Sequence, residues 1–123
     1  MVPRCPKPSK ELVNFVEKWT WTKRAPELNP ELERELNCWR PSEPVMLYRS
    51  EASDNLEAKP LKSWTYDKEM AETMAFEFGG DNVMVSKIVD PKDILVDMTR
   101  LPKSIRGDLL NEVIVYSRGK RCG

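Results

Sequence analysis

The chain has 123 residues, enough for one domain with its own core, and its 40% hydrophobic and 33% charged content is that of a globular chain, not a disordered one. Lys and Arg number 20 and Asp and Glu 20, so no global field draws it to nucleic acid or to an anionic membrane. Histidine is absent, which excludes Ser-His-Asp and Cys-His nucleophiles, His-ligated zinc and imidazole acid–base catalysis, and leaves carboxylates, hydroxyls, Arg, Lys and Tyr to carry any chemistry.

The first eight residues hold Pro3, Pro6 and Pro8 and are expected to form an irregular arm. Ser9 is placed to cap a helix in which Leu12, Val16 and Trp19 recur at helical spacing, with Val13 and Phe15 widening the stripe. After "TKRAPELNP", Asn29 followed by Pro30 predicts a second helix start, because Pro at the first helical position gives up an N–H that would be unpaired anyway. Leu32, Leu36 and Trp39 form its buried face, and Pro41 and Pro44 end it. "PVMLYRSE" alternates as a strand, with Val45, Leu47 and Arg49 on one face and Met46 and Tyr48 on the other. The polar stretch "ASDNLEAKPLK" reads as loop. In "SWTYDKEMAETMAFEFGG", Asp67 caps a helix with Met70, Ala71, Met74, Ala75 and Phe78 on its core face, the Met stripe reads as packing, and Gly79-Gly80 end it. The period then changes to two: "NVMVSKIV", "DILVDM" and "NEVIVYS" predict three strands rich in Val and Ile. "DPKD" is a turn between the first two, and "TRLPKSIRGDLL" is a surface loop between the last two. Helices first and strands later favour an α+β domain over alternating parallel βαβ units.

No apolar run approaches membrane-spanning length and "MVPRCPKPSK" has no apolar signal segment, so a cytoplasmic protein without a membrane partner is expected. Cys5, Cys38 and Cys122 are odd in number, far apart and without Cys-x-x-Cys spacing, which predicts reduced thiols and neither a disulfide framework nor a zinc site. Asp54 with Glu57-Ala58-Lys59 imitates the Asp…Glu-x-Lys pattern of metal-dependent nucleases, but these acids share one polar loop instead of standing on paired strands, and that reading is rejected.

Three polar features stand at the ends of expected strands: Arg49 in "LYRSE", the triplet Ser63-Trp64-Thr65 in "KSWTYDKEMAETMAFEF", and Glu112 in "NEVIVYSRG". Singly each has a bland explanation as a solvated charge or a helix cap. In this order, with "NVMVSKIVDPKDILVDM" between the last two, they resemble the Arg–Ser–Glu class of toxin-type ADP-ribosyltransferases, a family with members in bacteria and phages. The resemblance runs from about Pro44 to Gly119. It implies a single domain over 1–123: an arm at 1–8, a helical lead-in at 9–40 and a catalytic core at 44–119, the helices packed on a mostly antiparallel split β-sheet. It further implies NAD as substrate, no metal, and transfer of ADP-ribose to a macromolecular acceptor, protein or nucleic acid, by a compact phage or bacterial effector acting in the cytoplasm, the host's if phage-encoded.

Carried over by position, Glu112 is the catalytic carboxylate that accepts from the ribose 2′-hydroxyl, Ser63 holds that carboxylate and the ribose, and Arg49, with Ser50 beside it, clamps the dinucleotide. Thr65 secures the turn, while Trp64 and Tyr66 wall the nicotinamide pocket. The chemistry suits a chain without histidine. Expelling neutral nicotinamide develops positive charge on the ribose, and a fixed carboxylate answers it. The missing glycine-rich dinucleotide fingerprint is no objection, because this family does not use a Rossmann fold. One position departs from the pattern: many protein-modifying members carry Glu or Gln two residues before the catalytic glutamate, where this chain has Leu110. The acceptor therefore stays open among a side chain, nucleic acid, a small molecule and water, with NAD glycohydrolysis or a non-catalytic binding role as alternatives. Arg100, Lys103, Arg106 and Leu110 make up the expected acceptor loop, its three cations suited to an anionic acceptor.

Overall fold

The computed structural model describes residues 5, 7–22, 27–52, 61–78, 82–106 and 111–116. Its elements in chain order are α1 (Lys10–Thr22), α2 (Pro30–Cys38), β1 (Val45–Ala52), β2 (Leu61–Trp64), α3 (Lys68–Phe78), β3 (Asn82–Val89), β4 (Ile94–Asp97), α4 (Lys103–Arg106) and β5 (Val113–Tyr116). The architecture is α+β, with four α-helices and two small antiparallel sheets among the described residues.

Local chemistry starts the two lead-in helices. Ser9 Oγ accepts from Leu12 N at 3.2 Å, and Asn29 Oδ1 accepts from Leu32 N at 2.7 Å with Pro30 at the first helical position. Leu12, Phe15, Val16 and Trp19 of α1 and Leu32 and Leu36 of α2 are buried, as their spacing predicts. They pack with Leu61, Leu95, Val96, Met98, Leu101 and Ile114 on one side of the sheet ordered β2-β5-β4. Trp39 stands just beyond α2 as its C-cap, its backbone N–H donating to Leu36 O.

The second sheet pairs β1 with β3, Arg49 facing Val85 and Ser50 facing Met84, and α3 lies against both strands. Leu47, Val89, Ile94, Val113 and Val115 form a second core, with Val45, Trp64 and Tyr66 at its margin. Strand β5 feeds both cores, Ile114 the first and Val113 and Val115 the second, and a strand covered on both faces reads as the unbroken apolar run "VIV". The sheets are tied where Tyr48 and Thr65 exchange backbone hydrogen bonds of 2.8 and 2.9 Å.

Several expectations are corrected. Part of the expected loop before Ser63 is strand β2, whose "LKSW" lacks Val and Ile and owes its form to pairing with β5. "DPKD" is the expected turn, in 3-10 form at Pro91–Asp93 with Asp90 as its cap. The segment read as surface loop holds another at Met98–Arg100, followed by α4, with Met98 and Leu101 buried; both turns are too short for periodicity to register. Of the expected α3 core face, Ala71 alone among the described side chains is fully buried, while Met70 and Met74 are 42% and 40% exposed; the Phe78 side chain lies outside the described residues. The reduced-thiol expectation also falls. Cys5 and Cys38 are disulfide-bonded, their Cα atoms 5.7 Å apart. Sequence distance hid the pairing: Ser9, at the start of α1, bonds Glu35 through its N–H and its hydroxyl, which holds the start of α1 beside α2, within reach of the Cys5–Cys38 bond. Cys122 lies outside the described residues. Among them, no helix is long and apolar enough to cross a membrane.

Candidate active site

A cavity of about 310 Å³ opens where the two sheets meet. Strand β1 contributes Tyr48, Arg49 and Ser50 to its lining, and β2 with the following residue contributes Leu61 to Thr65. Met70, Ala71 and Met74 of α3, Trp19 of α1, and Asn111 and Glu112 at the approach to β5 complete it. Arg49, Ser63 and Glu112, named from sequence, thus line one cavity, as do Ser50, Trp64 and Thr65.

Each is held by identifiable contacts. The guanidinium of Arg49 donates from Nη1 to Ser63 O at 2.7 Å and from Nε to Glu51 Oε1 at 3.1 Å. Lys62 Nζ donates to the same Glu51 oxygen at 3.0 Å, so one carboxylate holds two cations from β1 and β2. Burial works to raise the Glu51 pKa, but the hydrogen bonds and charges of Lys62 and Arg49 outweigh it and leave it below the ordinary carboxylate value. Glu112 is half-buried; its backbone O accepts from Met98 N at 2.9 Å and its Oε2 accepts from Trp19 Nε1 at 2.8 Å. Ser63 contributes its carbonyl oxygen, which accepts from Arg49. The Ser50 hydroxyl oxygen is buried with no hydrogen-bond partner. Thr65 Oγ1 accepts from Asp67 N at 3.0 Å, and Asp67 Oδ1 accepts from Met70 N at 3.0 Å, which shapes the turn into α3.

Other expected residues stand elsewhere. Tyr66 does not line the cavity. Its hydroxyl donates to Asp97 Oδ2 at 2.6 Å, and burial together with that carboxylate raises the phenol pKa well above its usual value, the nearby Arg100 opposing. Asp97 is 1% exposed and collects donors: Thr99 N at 3.0 Å, the Thr99 hydroxyl, and the guanidinium of Arg100 at 3.3 Å. Arg100 is therefore tied to a buried carboxylate, which cannot be left unpaired at low cost. Lys103 is exposed on α4; Leu110 and the side chain of Arg106 lie outside the described residues.

Trp19, Glu51, Lys62, Asn111, Met70 and Met74 were missed. Glu51 and Lys62 gave only a faint signal, as charges within or beside strands. Trp19 and the methionines gave none, because helical periodicity already accounted for them. A wider groove of about 860 Å³ between α1 and α2 is lined mainly by charged side chains such as Lys10, Glu31 and Arg34, and holds none of the expected site residues. Among the described residues no cluster of His, Cys, Asp or Glu is arranged to hold a metal ion. Comparison with protein-family models, with curated proteins and with solved structures finds no match for this chain.

Proposed function

We propose that this chain is an NAD-dependent ADP-ribosyltransferase of the Arg–Ser–Glu type, its two small sheets serving as the split core of that fold. The observation that carries the reading is the convergence of Arg49, Ser63 and Glu112, from β1, β2 and the approach to β5, on one cavity. The cavity volume falls at the lower end of the range of small-molecule sites, suited to the nicotinamide and its ribose.

In this mechanism the Glu112 carboxylate accepts from the ribose 2′-hydroxyl and stabilises the positive charge that develops on the ribose as the C–N bond breaks. Nicotinamide departs with the bonding electron pair. The acceptor's nucleophile then bonds to the anomeric carbon and gives up its proton. Arg49, oriented by Glu51 and Ser63 O, offers its remaining N–H groups to the diphosphate, and Lys62 adds a second positive charge. The unpartnered Ser50 hydroxyl supports the same reading, since a buried polar atom left unpaired in the free protein is one that a ligand can satisfy. Met70 and Met74 supply deformable apolar surface for a flat ring. Arg100 (which also pairs with Asp97), Lys103 and Arg106 are the cations proposed to meet an anionic acceptor.

The test is incubation with NAD labelled in its ADP-ribose portion, in a bacterial lysate. Label that becomes acid-precipitable, and is released by protease or by nuclease, identifies transfer and the acceptor class. Free ADP-ribose alone identifies the glycohydrolase, with water as acceptor. Intact NAD overturns the proposal.

A further inference from the structure

The lead-in helix reaches the candidate catalytic carboxylate directly. Trp19, on α1, is 2% exposed and stacks on Phe15, their ring centroids 6.4 Å apart and their planes 14° from parallel. Its indole N–H donates to Glu112 Oε2 at 2.8 Å, across nearly the whole length of the sequence. We propose that Trp19 is a positioning residue for the transferase reaction: its indole N–H fixes the orientation of the Glu112 carboxylate. The proposal rests on the role assigned to Glu112 above.

The geometry constrains both partners. Burial and the Phe15 stack fix the indole ring, and the hydrogen bond from Met98 N to Glu112 O fixes the backbone that carries the carboxylate. An indole N–H can only donate, so it is matched to a carboxylate oxygen, which accepts. The contact comes from α1, which makes the lead-in helix part of the site. It also accounts for a tryptophan at a position where leucine would fill a core as well: a buried indole needs a partner for its N–H, and Glu112 is that partner. Among the described residues, the titratable groups that share the cavity lining with Glu112 are Tyr48 and Arg49 from β1 and Lys62 from β2; α4, packed against α1, carries Lys103 and Arg106.

Trp19→Phe keeps the aromatic packing and removes only the donor. Its expected signature is a kcat for NAD cleavage lowered about tenfold, the scale of one lost hydrogen bond to a charged group, with KM unchanged. Equal kcat in a folded Trp19→Phe protein, or a loss that falls on KM instead, overturns the proposal and leaves Trp19 a packing residue. A second measurement needs no Trp19 variant and no turnover: the indole N–H resonance of Trp19, followed by NMR in the wild type and in Glu112→Gln. It should shift between the wild type and Glu112→Gln, where a neutral amide replaces the charged acceptor; a resonance that does not move overturns the contact. If the wild-type protein cleaves no NAD while this resonance shifts, the functional reading fails and the contact stands on its own.

Discussion

Arg49 shows how much a single side chain's geometry decides. It serves two acceptors in different directions, Glu51 through Nε and Ser63 O through Nη1, and only a guanidinium has donors fixed in that fork. Arg49→Lys keeps the charge and loses one arm, so NAD affinity measured by calorimetry should fall about tenfold, the worth of one hydrogen bond to a charged group. Unchanged affinity would remove Arg49 from the site. Glu51 anchors both cations, and its depressed pKa gives the sign of its pH dependence. A carboxyl whose folded pKa lies below its unfolded value adds stability that is present above the unfolded value and is lost as pH falls through the folded one. Glu51→Gln should therefore melt below the wild type at pH 7, and the difference should close as the pH drops below the carboxylate range. A gap that persists in acid would mean that packing, not charge, is what the substitution removed.

Among the elements, legibility followed the strength of the local signal. The two lead-in helices were readable because Ser9 and Asn29-Pro30 mark their starts and buried residues recur at helical spacing. Strand β1 was readable from its alternation and β5 from its apolar run. Strand β2 was not, since a four-residue strand without β-branched residues is specified by its partner, and the partner is far away in sequence. The α3 methionines followed the helical period, yet period alone does not say whether a stripe meets core or cavity. Tyr66 was misread because nothing in "SWTYD" announces the buried Asp97 that claims its hydroxyl. That bond closes β4 against the turn after β2, so Tyr66→Phe should lower stability by about 1–3 kcal/mol, the cost of leaving a buried acceptor short of a donor. Urea unfolding measures it, and NAD affinity should be untouched because Tyr66 stands outside the cavity lining.

For the molecule as a whole, the disulfide is the feature least foreseen. Cys5 and Cys38 close a separation of 33 residues, for which loop-closure entropy predicts about 3–4 kcal/mol of stabilisation. Reducing agent, or Cys5→Ser, should lower the melting temperature by several degrees. Below the transition NAD turnover should persist, since neither cysteine lines the cavity. Equal melting curves with and without reductant would show that the bond adds nothing. Disulfides persist in oxidising compartments and are rare in a reducing cytosol. The disulfide and the expected cytoplasmic setting therefore pull in opposite directions, and thiol alkylation of the protein taken directly from cells reads out which state the pair holds there. Arg49, Ser63 and Glu112, picked out from local motifs, do line one cavity, whereas Trp19, Glu51 and Lys62 join them only through tertiary contacts that no spacing reveals.

The central claim, that Glu112 is the carboxylate of an NAD-cleaving site, is tested most directly by nicotinamide release from NAD by the purified protein and by Glu112→Gln. The substitution preserves size and hydrogen-bonding capacity and removes the charge opposed to the developing cation. Release by the wild type, slowed on the order of 10²–10³-fold in the variant with the melting curve little changed, is the expected result. Equal release by the two proteins, or none by the wild type, would contradict it.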